Sequence, residues 1–309
     1  MGLAQPVDAR SPVSLTRRQT LAAAAALSCV ASGCTTARSV SPPPRRPSIV
    51  KRQLTGMVWQ PSRRALHPQG HWDWLGIRRV LVQWTAVDQL SFVANAGIPP
   101  IEAELPDWHR IAGEPWADEV IMGLAGMHDE GMARTRLVEL AAQSRALRVA
   151  AERLPLRINA WYFPVEADPT WAPPPEWKAV LNELPRPLWI SVYDTANLGP
   201  MALTDWIMRW VPEDVGIFFQ DGVGVHARVA AVAREYLQML SERLGRARVQ
   251  VIAEAFRPAQ GGGFRSATVE EFLPQLDAYQ AWPIFAFDGP HYLHPALLTK
   301  LAASGVGPP

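Results

Sequence analysis

From Leu54 onward, short apolar runs recur about every 25 to 40 residues. They are Gly56–Gln60, Arg79–Thr85, Glu119–Gly126 and Arg157–Pro164, then Pro187–Asp194, Val215–Asp221, Arg248–Phe256 and Pro283–Asp288. Several are apolar without alternation, which marks strands covered on both faces, as in a parallel sheet. Between them the apolar positions move to helical spacing. Gly131–Arg153 carries Leu137, Leu140, Ala141, Leu147 and Ala151 on one face, and Ala227–Leu244 carries Val229, Val232, Ala233, Tyr236, Leu237 and Leu240 at similar spacing. Thr268 followed three residues later by Glu271 predicts a capped helix over 268–279. Leu203–Trp210 and Pro295–Ala303 are shorter helical stretches. Eight strands alternating with helices predict an α/β fold, a single (β/α)8 TIM barrel over residues 54–309. An open doubly wound sheet competes with it, but no Gly-rich phosphate turn follows the first strand. Pro61 to Ile77 leaves little room, so the first helix is expected to be short, within Gly70–Leu75.

The first 53 residues follow another pattern. In Ser14–Cys34 a polar stretch with Arg17-Arg18 precedes an alanine-rich, weakly apolar run, Leu21–Val30, and a small-residue segment ending at Cys34. This is the layout of an export signal, with an apolar run too short to span a bilayer. The arginine pair resembles a twin-arginine signal. Ala31-Ser32-Gly33-Cys34 resembles a bacterial lipobox, in which the cysteine is lipidated and becomes the mature N-terminus. Residues 1–34 are therefore expected to be a signal peptide that leaves the protein exported and lipid-anchored to a membrane through Cys34 in the periplasmic envelope. An ordinary cleaved signal is the alternative. Residues 35–53, with three consecutive prolines and five basic residues but no acid, predict a disordered tether.

Composition sharpens this division. The chain of 309 residues has a formal net charge of +1. That value averages a basic leader and tether with a barrel segment of 22 basic and 28 acidic residues, which also holds all 13 tryptophans. No basic excess points to a nucleic-acid partner. Two cysteines exclude a disulfide framework and a four-cysteine zinc site. With Cys29 in the signal and Cys34 lipidated, no thiol remains for catalysis.

In barrel enzymes the chemistry sits at the C-terminal ends of the strands. Here those ends carry Trp59 and Gln60; Gln83 and Trp84; His128 and Asp129; Trp161, Tyr162 and Glu166; Tyr193 and Asp194; Gln220 and Asp221; Glu254; and Asp288. Carboxylates ringed by Trp and Tyr suit a sugar site: aromatic faces stack on pyranose rings, carboxylates and amides bind hydroxyls, and a carboxyl pair cleaves the glycosidic bond. Glu254, inside the apolar run Val251–Phe256, needs a partner or a function to be there at all. Glu166 lies two residues past Pro164, which leaves open a place on the strand or on the loop after it. Asp221, followed by Gly222 and Gly224, is the third catalytic candidate and pairs with Glu254 should Glu166 be remote; a turn-capping role is its alternative.

Glu166 after strand four and Glu254 at the end of strand seven resemble the large clan of retaining (β/α)8 glycoside hydrolases. In that clan the first is the acid/base and the second the nucleophile, with carboxyls about 5–5.5 Å apart. The clan commonly has Asn where Val165 stands. A wider set of segments falls in order across residues 55–290: Thr55–Pro61, Leu75–Ile77 leading into Val82–Thr85, Trp161–Glu166, Pro187–Ser191, Phe219–Val225 and Ala253–Phe256. Together they resemble the bacterial family of glycoside-hydrolase-like TIM barrels called domain of unknown function 4434. The resemblance implies a barrel with a carbohydrate-related role.

The function expected is hydrolysis of an envelope or extracellular polysaccharide or oligosaccharide by a retaining mechanism. Glu254 is the expected nucleophile and Glu166 the acid/base. Asp221, Asp194 and Asp288 are expected to position hydroxyls. Trp59, Trp84, Trp161 and Tyr193 are expected to form the stacking platform, with Gln60, Gln83, Tyr162 and Gln220 binding hydroxyls. A noncatalytic carbohydrate-binding envelope lipoprotein is the alternative. The seven histidines are scattered and no Gly-x-Ser-x-Gly elbow occurs, so neither a metal nor another cofactor is expected.

Overall fold

The computed structural model describes residues 52–100 and 104–308. The signal, Cys34 and the tether up to residue 51 lie outside the described residues. Eight parallel strands close into a barrel in sequence order. They are β1 (Gly56–Trp59), β2 (Arg79–Val82), β3 (Glu119–Gly123), β4 (Ile158–Ala167), β5 (Leu188–Val192), β6 (Val215–Gln220), β7 (Val249–Glu254) and β8 (Ile284–Phe287). Gly56 of β1 pairs with Arg79 on one side and with Phe285 on the other, which completes the ring.

Alternation along each strand divides the apolar residues between two cores. Val58, Leu81, Ile121, Ala160, Tyr162, Phe218, Ile252 and Phe285 pack together inside the barrel, with Trp189 against them. Their neighbours in sequence, such as Trp59, Val80, Val82, Trp161, Phe219, Val251 and Ala253, belong to the larger core shared with the helices. Both cores are needed, which is why the strands read as continuous apolar runs. Inside, the rings of Trp189, Phe218 and Phe285 meet at centroid distances of 5.1 and 5.0 Å. Gly216 makes room for them, since a Cβ there would lie 2.3 Å from the Trp189 ring.

The described helices are α1 (Trp108–Ala112), α2 (Glu130–Thr135), α3 (Leu137–Ala151), α4 (Glu176–Glu183), α5 (Pro200–Trp210), α6 (Ala230–Leu244), α7 (Val269–Tyr279), α8 (Gly289–Tyr292) and α9 (Pro295–Ala303). The connection from β1 to β2 holds a single 3-10 turn, Trp72–Leu75, ended by Gly76 at φ 89°. α7 starts with a reciprocal cap. The Thr268 hydroxyl accepts from the Glu271 amide, and the Glu271 carboxylate accepts from the Thr268 amide. The helix expected over Gly131–Arg153 is two helices, because Arg136 leaves helical geometry at φ −117° and ψ 29°. Asp129 caps the first of them by accepting from the Met132 amide at 2.8 Å.

Two additions rim the C-terminal mouth of the barrel. Ala86–Val87 pairs with Leu90–Ser91 and with Ala125–Gly126, just beyond β2 and β3. Beyond β7, Phe256–Pro258 and Phe264–Ser266 form a short antiparallel ribbon.

Candidate functional site

Alternation also decides which strand-end side chains reach the mouth. Gln60, Gln83, Tyr193, Gln220 and Glu254 follow in step from the interior positions of their strands, and each but Glu254 keeps some solvent exposure. Trp59, Trp84 and Trp161 point the other way. All three are buried in the core beneath the helices. The indole N–H of Trp59 donates to the Ala65 carbonyl and that of Trp84 to the Pro61 carbonyl, each at 2.9 Å. Their faces are thus occupied by protein, and the stacking platform expected of them is not formed. Tyr162 is buried in the barrel interior, where its hydroxyl donates to Ser191 Oγ at 2.8 Å. It forms the floor of the mouth.

Two of the three aspartates expected at the site, Asp194 and Asp221, are built into the scaffold. Asp194 is fully buried; its carboxylate accepts from the amides of Leu198 (3.0 Å) and Gly199 (2.9 Å) and from the Tyr236 hydroxyl (2.7 Å). It anchors the loop leading into α5. Asp221 is also fully buried and accepts from four donors. They are the amides of Val223 and Glu254 at 3.2 Å, Gln275 Nε2 at 2.6 Å and the Tyr279 hydroxyl at 3.1 Å. These donors tie the turn after β6 to the end of β7 and to α7. Asp221 therefore supports Glu254 from behind, and it fills all its acceptor positions in doing so.

Glu254 ends β7, opposite Phe287 of β8, and is 6% exposed. The Val225 amide donates to its Oε2 at 3.2 Å, with a further main-chain hydrogen bond from Gly224. Glycine is required at 224: a Cβ would lie 2.6 Å from the Glu254 Cβ and 2.9 Å from its Oε2. Burial, and next the Asp221 charge, push the Glu254 carboxyl up to about 8; the two amides and Arg228 oppose them. Arg228 lies behind this end of the mouth, over the rings of Tyr193, Phe219 and Tyr236. It donates to the main-chain carbonyls of Asp194 and Asp221 and to Asn197. Arg257 likewise donates to main-chain carbonyls, of Glu254, Phe256 and Glu271, and to Gln275.

Glu166 lies on β4, which runs past Pro164 to Ala167. Gln220 Nε2 donates to its Oε2, so adjacent barrel side chains link β4 to β6 across the mouth. Burial raises the proton affinity of Glu166, while Gln220 and Arg134 favour its charged form. Tyr193 of the β5 loop, half-buried, feels both Glu254 and Glu166. Burial and then Glu254 hold its phenol protonated. The four strands β4 to β7 thus present Glu166, Tyr193, Gln220 and Glu254 in order around one arc.

Asp288 follows β8. Burial pushes it up to about 8 against main-chain hydrogen bonds at Gln60 and His291. Its Oδ1 has no hydrogen-bond partner among the described residues, and neither does Oε1 of Gln83. Both oxygens are buried acceptors at strand ends, left without a donor among those residues.

Two members of the mouth were not expected. Glu130, the first residue of α2, accepts the Glu166 amide on Oε2 at 3.0 Å and is pushed up to about 8 by burial and by Glu166. Its neighbour Asp129, a strand-end acid in the sequence, caps α2 instead. Tyr292 of α8 is half-buried beside Asp288 and Glu254, and its ring lies 5.1 Å from that of Phe256. It offers a ring where the buried tryptophans do not. Among the described residues, no three His, Cys, Asp or Glu side chains are arranged to hold a metal ion.

The fold resembles that of a protein from Bacteroides thetaiotaomicron named a "putative alpha-L-fucosidase". The match has a TM-score of 0.60 and 15% identity over 82% of this chain and 94% of that one. A chitinase from Chromobacterium violaceum follows at TM-score 0.45 and 11% identity, covering 81% of this chain and 99% of that one. The Bacillus cereus spore cortex-lytic enzyme SleL follows at 0.44 and 10%, covering 82% and 75%. No family model and no curated protein matches the chain. At 15% identity the likeness to the first of these is one of fold alone, a closed eight-stranded (β/α)8 barrel.

Proposed function

We propose that this protein is a glycoside hydrolase acting on an envelope or extracellular polysaccharide or oligosaccharide. The observation that carries the reading is a pair of carboxyls, the half-buried Glu166 and the buried Glu254, at the C-terminal ends of β4 and β7 with Tyr193 and Gln220 between them. Carboxyls of raised proton affinity at the mouth of a barrel are acid–base groups set for work near neutral pH. The barrel fold shared with the putative alpha-L-fucosidase supports the same reading.

In this mechanism Glu166 protonates the leaving oxygen and later activates water, and Glu254 attacks the anomeric carbon, giving retention. Glu254 must first lose the proton it holds up to about pH 8, which Arg228 and the amides of Gly224 and Val225 favour. The amides of Gln60 and Gln220, which keep some exposure at the mouth, take sugar hydroxyls. Tyr193 and Tyr292 supply the aromatic surface.

The test is a glycan panel incubated with the protein and with its Glu254→Gln and Glu166→Gln variants, with the anomer of the first product read by NMR. Hydrolysis with retention, reduced at least 1,000-fold in each variant, is the expected result. No hydrolysis of any glycan, with sugar binding undisturbed by Glu254→Gln, would refute catalysis and favour a noncatalytic carbohydrate-binding role. We propose further that the chain is exported and held at a membrane by lipid on Cys34. Cys34→Ala should then move the protein from the membrane to the soluble periplasmic fraction, and an unchanged distribution would reject the anchor.

A further inference from the structure

β4 and β5 lose register at the mouth. Phe163 pairs with Ile190, but the next pair is Ala167 with Val192, so β4 spends four residues where β5 spends two. The surplus, Pro164–Glu166, bulges from the ladder. A bulged peptide in a buried setting must find other partners for its N–H and C=O. For Glu166 both come from one face of α2. Glu130 Oε2 accepts the Glu166 amide at 3.0 Å. Arg134, four residues on and so on the same face, donates Nε at 3.1 Å and Nη2 at 2.9 Å to the Glu166 carbonyl. The Arg134 guanidinium is itself held over the Trp171 ring at 5.1 Å. The two residues that grip the peptide are an acid and a base: Arg134 favours the charged form of Glu166, while the Glu166 charge opposes ionisation of Glu130 and so, reciprocally, Glu130 opposes that of Glu166.

We propose that Glu130 and Arg134 are the positioning device for Glu166, gripping its N–H and its C=O from one face of α2 and setting one acid and one base beside its carboxyl. This rests on the reading of Glu166 as the acid/base. The groups acting on the pair are few and known. α2 contributes Glu130 and Arg134, with Asp129 acting on Glu130; β4 and its end contribute Tyr162 and Asp168; the β5 loop contributes Tyr193; β6 contributes the amide of Gln220. Tyr162 and Tyr193 stay neutral and Asp168 is tied by hydrogen bonds to Thr170 and Thr195, so Glu130 and Arg134 are the ionisable groups that substitution can remove while leaving that loop and the carboxyl of Glu166 in place. Two like carboxyls this close release their protons in two linked steps.

The experiment is a carboxyl-carbon NMR titration of the full-length chain labelled at Glu, with the Glu130 and Glu166 signals assigned by their loss in the respective Gln variants. Glu130→Gln keeps an oxygen for the Glu166 amide and removes the charge. Its Glu166 signal is expected to titrate in one step, about one pH unit below the upper step of the parent. Arg134→Gln removes the cation and is expected to move the Glu166 titration upward, which keeps the test available if Glu130→Gln does not fold. On any glycan the protein hydrolyses, the alkaline limb of kcat/KM should move with the titration in each variant. A merely structural α2 would lower thermal stability and leave both readings in place. Unmoved Glu166 titration in the variants overturns the proposal even if glycans are hydrolysed. Shifts of opposite sign sustain it even if no glycan is cleaved, in which case the enzymatic reading alone fails.

Discussion

Asp221→Asn separates a scaffolding acid from a catalytic one. The substitution changes size hardly at all and replaces one acceptor oxygen by a donor. In the folded protein Oδ1 accepts two main-chain amides, and Oδ2 accepts Gln275 Nε2 at 2.6 Å and the Tyr279 hydroxyl at 3.1 Å. Asparagine must keep its carbonyl toward the two amides, since they cannot turn. Its NH2 then meets the NH2 of Gln275, donor against donor. Gln275 cannot rotate to offer its oxygen, because Oε1 accepts Arg257 Nη2 at 2.5 Å. Tyr279 can turn its hydroxyl and accept. One buried mismatch remains, worth about 1–3 kcal/mol. For a domain of roughly 250 residues, at about 2–4 °C per kcal/mol, the thermal midpoint should fall by about 2–12 °C. Circular dichroism on heating reads this directly. Activity should survive at temperatures below the transition. Its acid limb should move to lower pH, because the Asp221 charge is the second cause holding the Glu254 proton and asparagine removes it. An unchanged midpoint, together with loss of hydrolysis equal to that of Glu254→Gln, would refute the reasoning and return Asp221 to the chemistry.

Two further outcomes follow from the same geometry. Trp84→Phe removes the indole donor to the Pro61 carbonyl and some packing under the helices. It should cost about 1–3 kcal/mol in urea unfolding and leave KM for any cleaved glycan unchanged; a raised KM with unchanged stability would place Trp84 in the site. Glu130, Glu254 and Asp288 are each pushed up to about 8 in the folded protein, whereas unfolded carboxyls titrate near ~4. Over the window from ~4 to ~8 the folded state keeps protons that the unfolded chain has released, so these groups make stability fall as pH rises and then level off. The urea midpoint should be lower at pH 8 than at pH 5, and Glu254→Gln should flatten part of the slope. A midpoint that climbs across that window contradicts the assignment.

The sequence by itself determined the barrel. Eight apolar runs, several without alternation, demand cover on both faces, and the helical stretches between them supply the outer cover; their number, and the lack of a Gly-rich phosphate turn after the first, favoured a closed barrel over an open sheet. The short first helix was legible too, in the few residues between Pro61 and Ile77. Other elements were not. α4 follows a proline-rich stretch that masks its start, and the break at Arg136 leaves no mark in a continuous amphipathic pattern. The site was half legible, for a physical reason. Neighbouring residues at a strand end point to opposite faces, so Trp59-Gln60, Gln83-Trp84, Tyr193-Asp194 and Gln220-Asp221 each send one member to the mouth and one to the scaffold. Composition cannot say which, because both members are polar or aromatic; only the register of the closed barrel does. Nor can spacing along the chain show that Glu130 grips the peptide of Glu166 from another element, 36 residues away. That contact exists because β4 bulges and leaves a buried peptide in need of partners, a need that arises only once the sheet has closed.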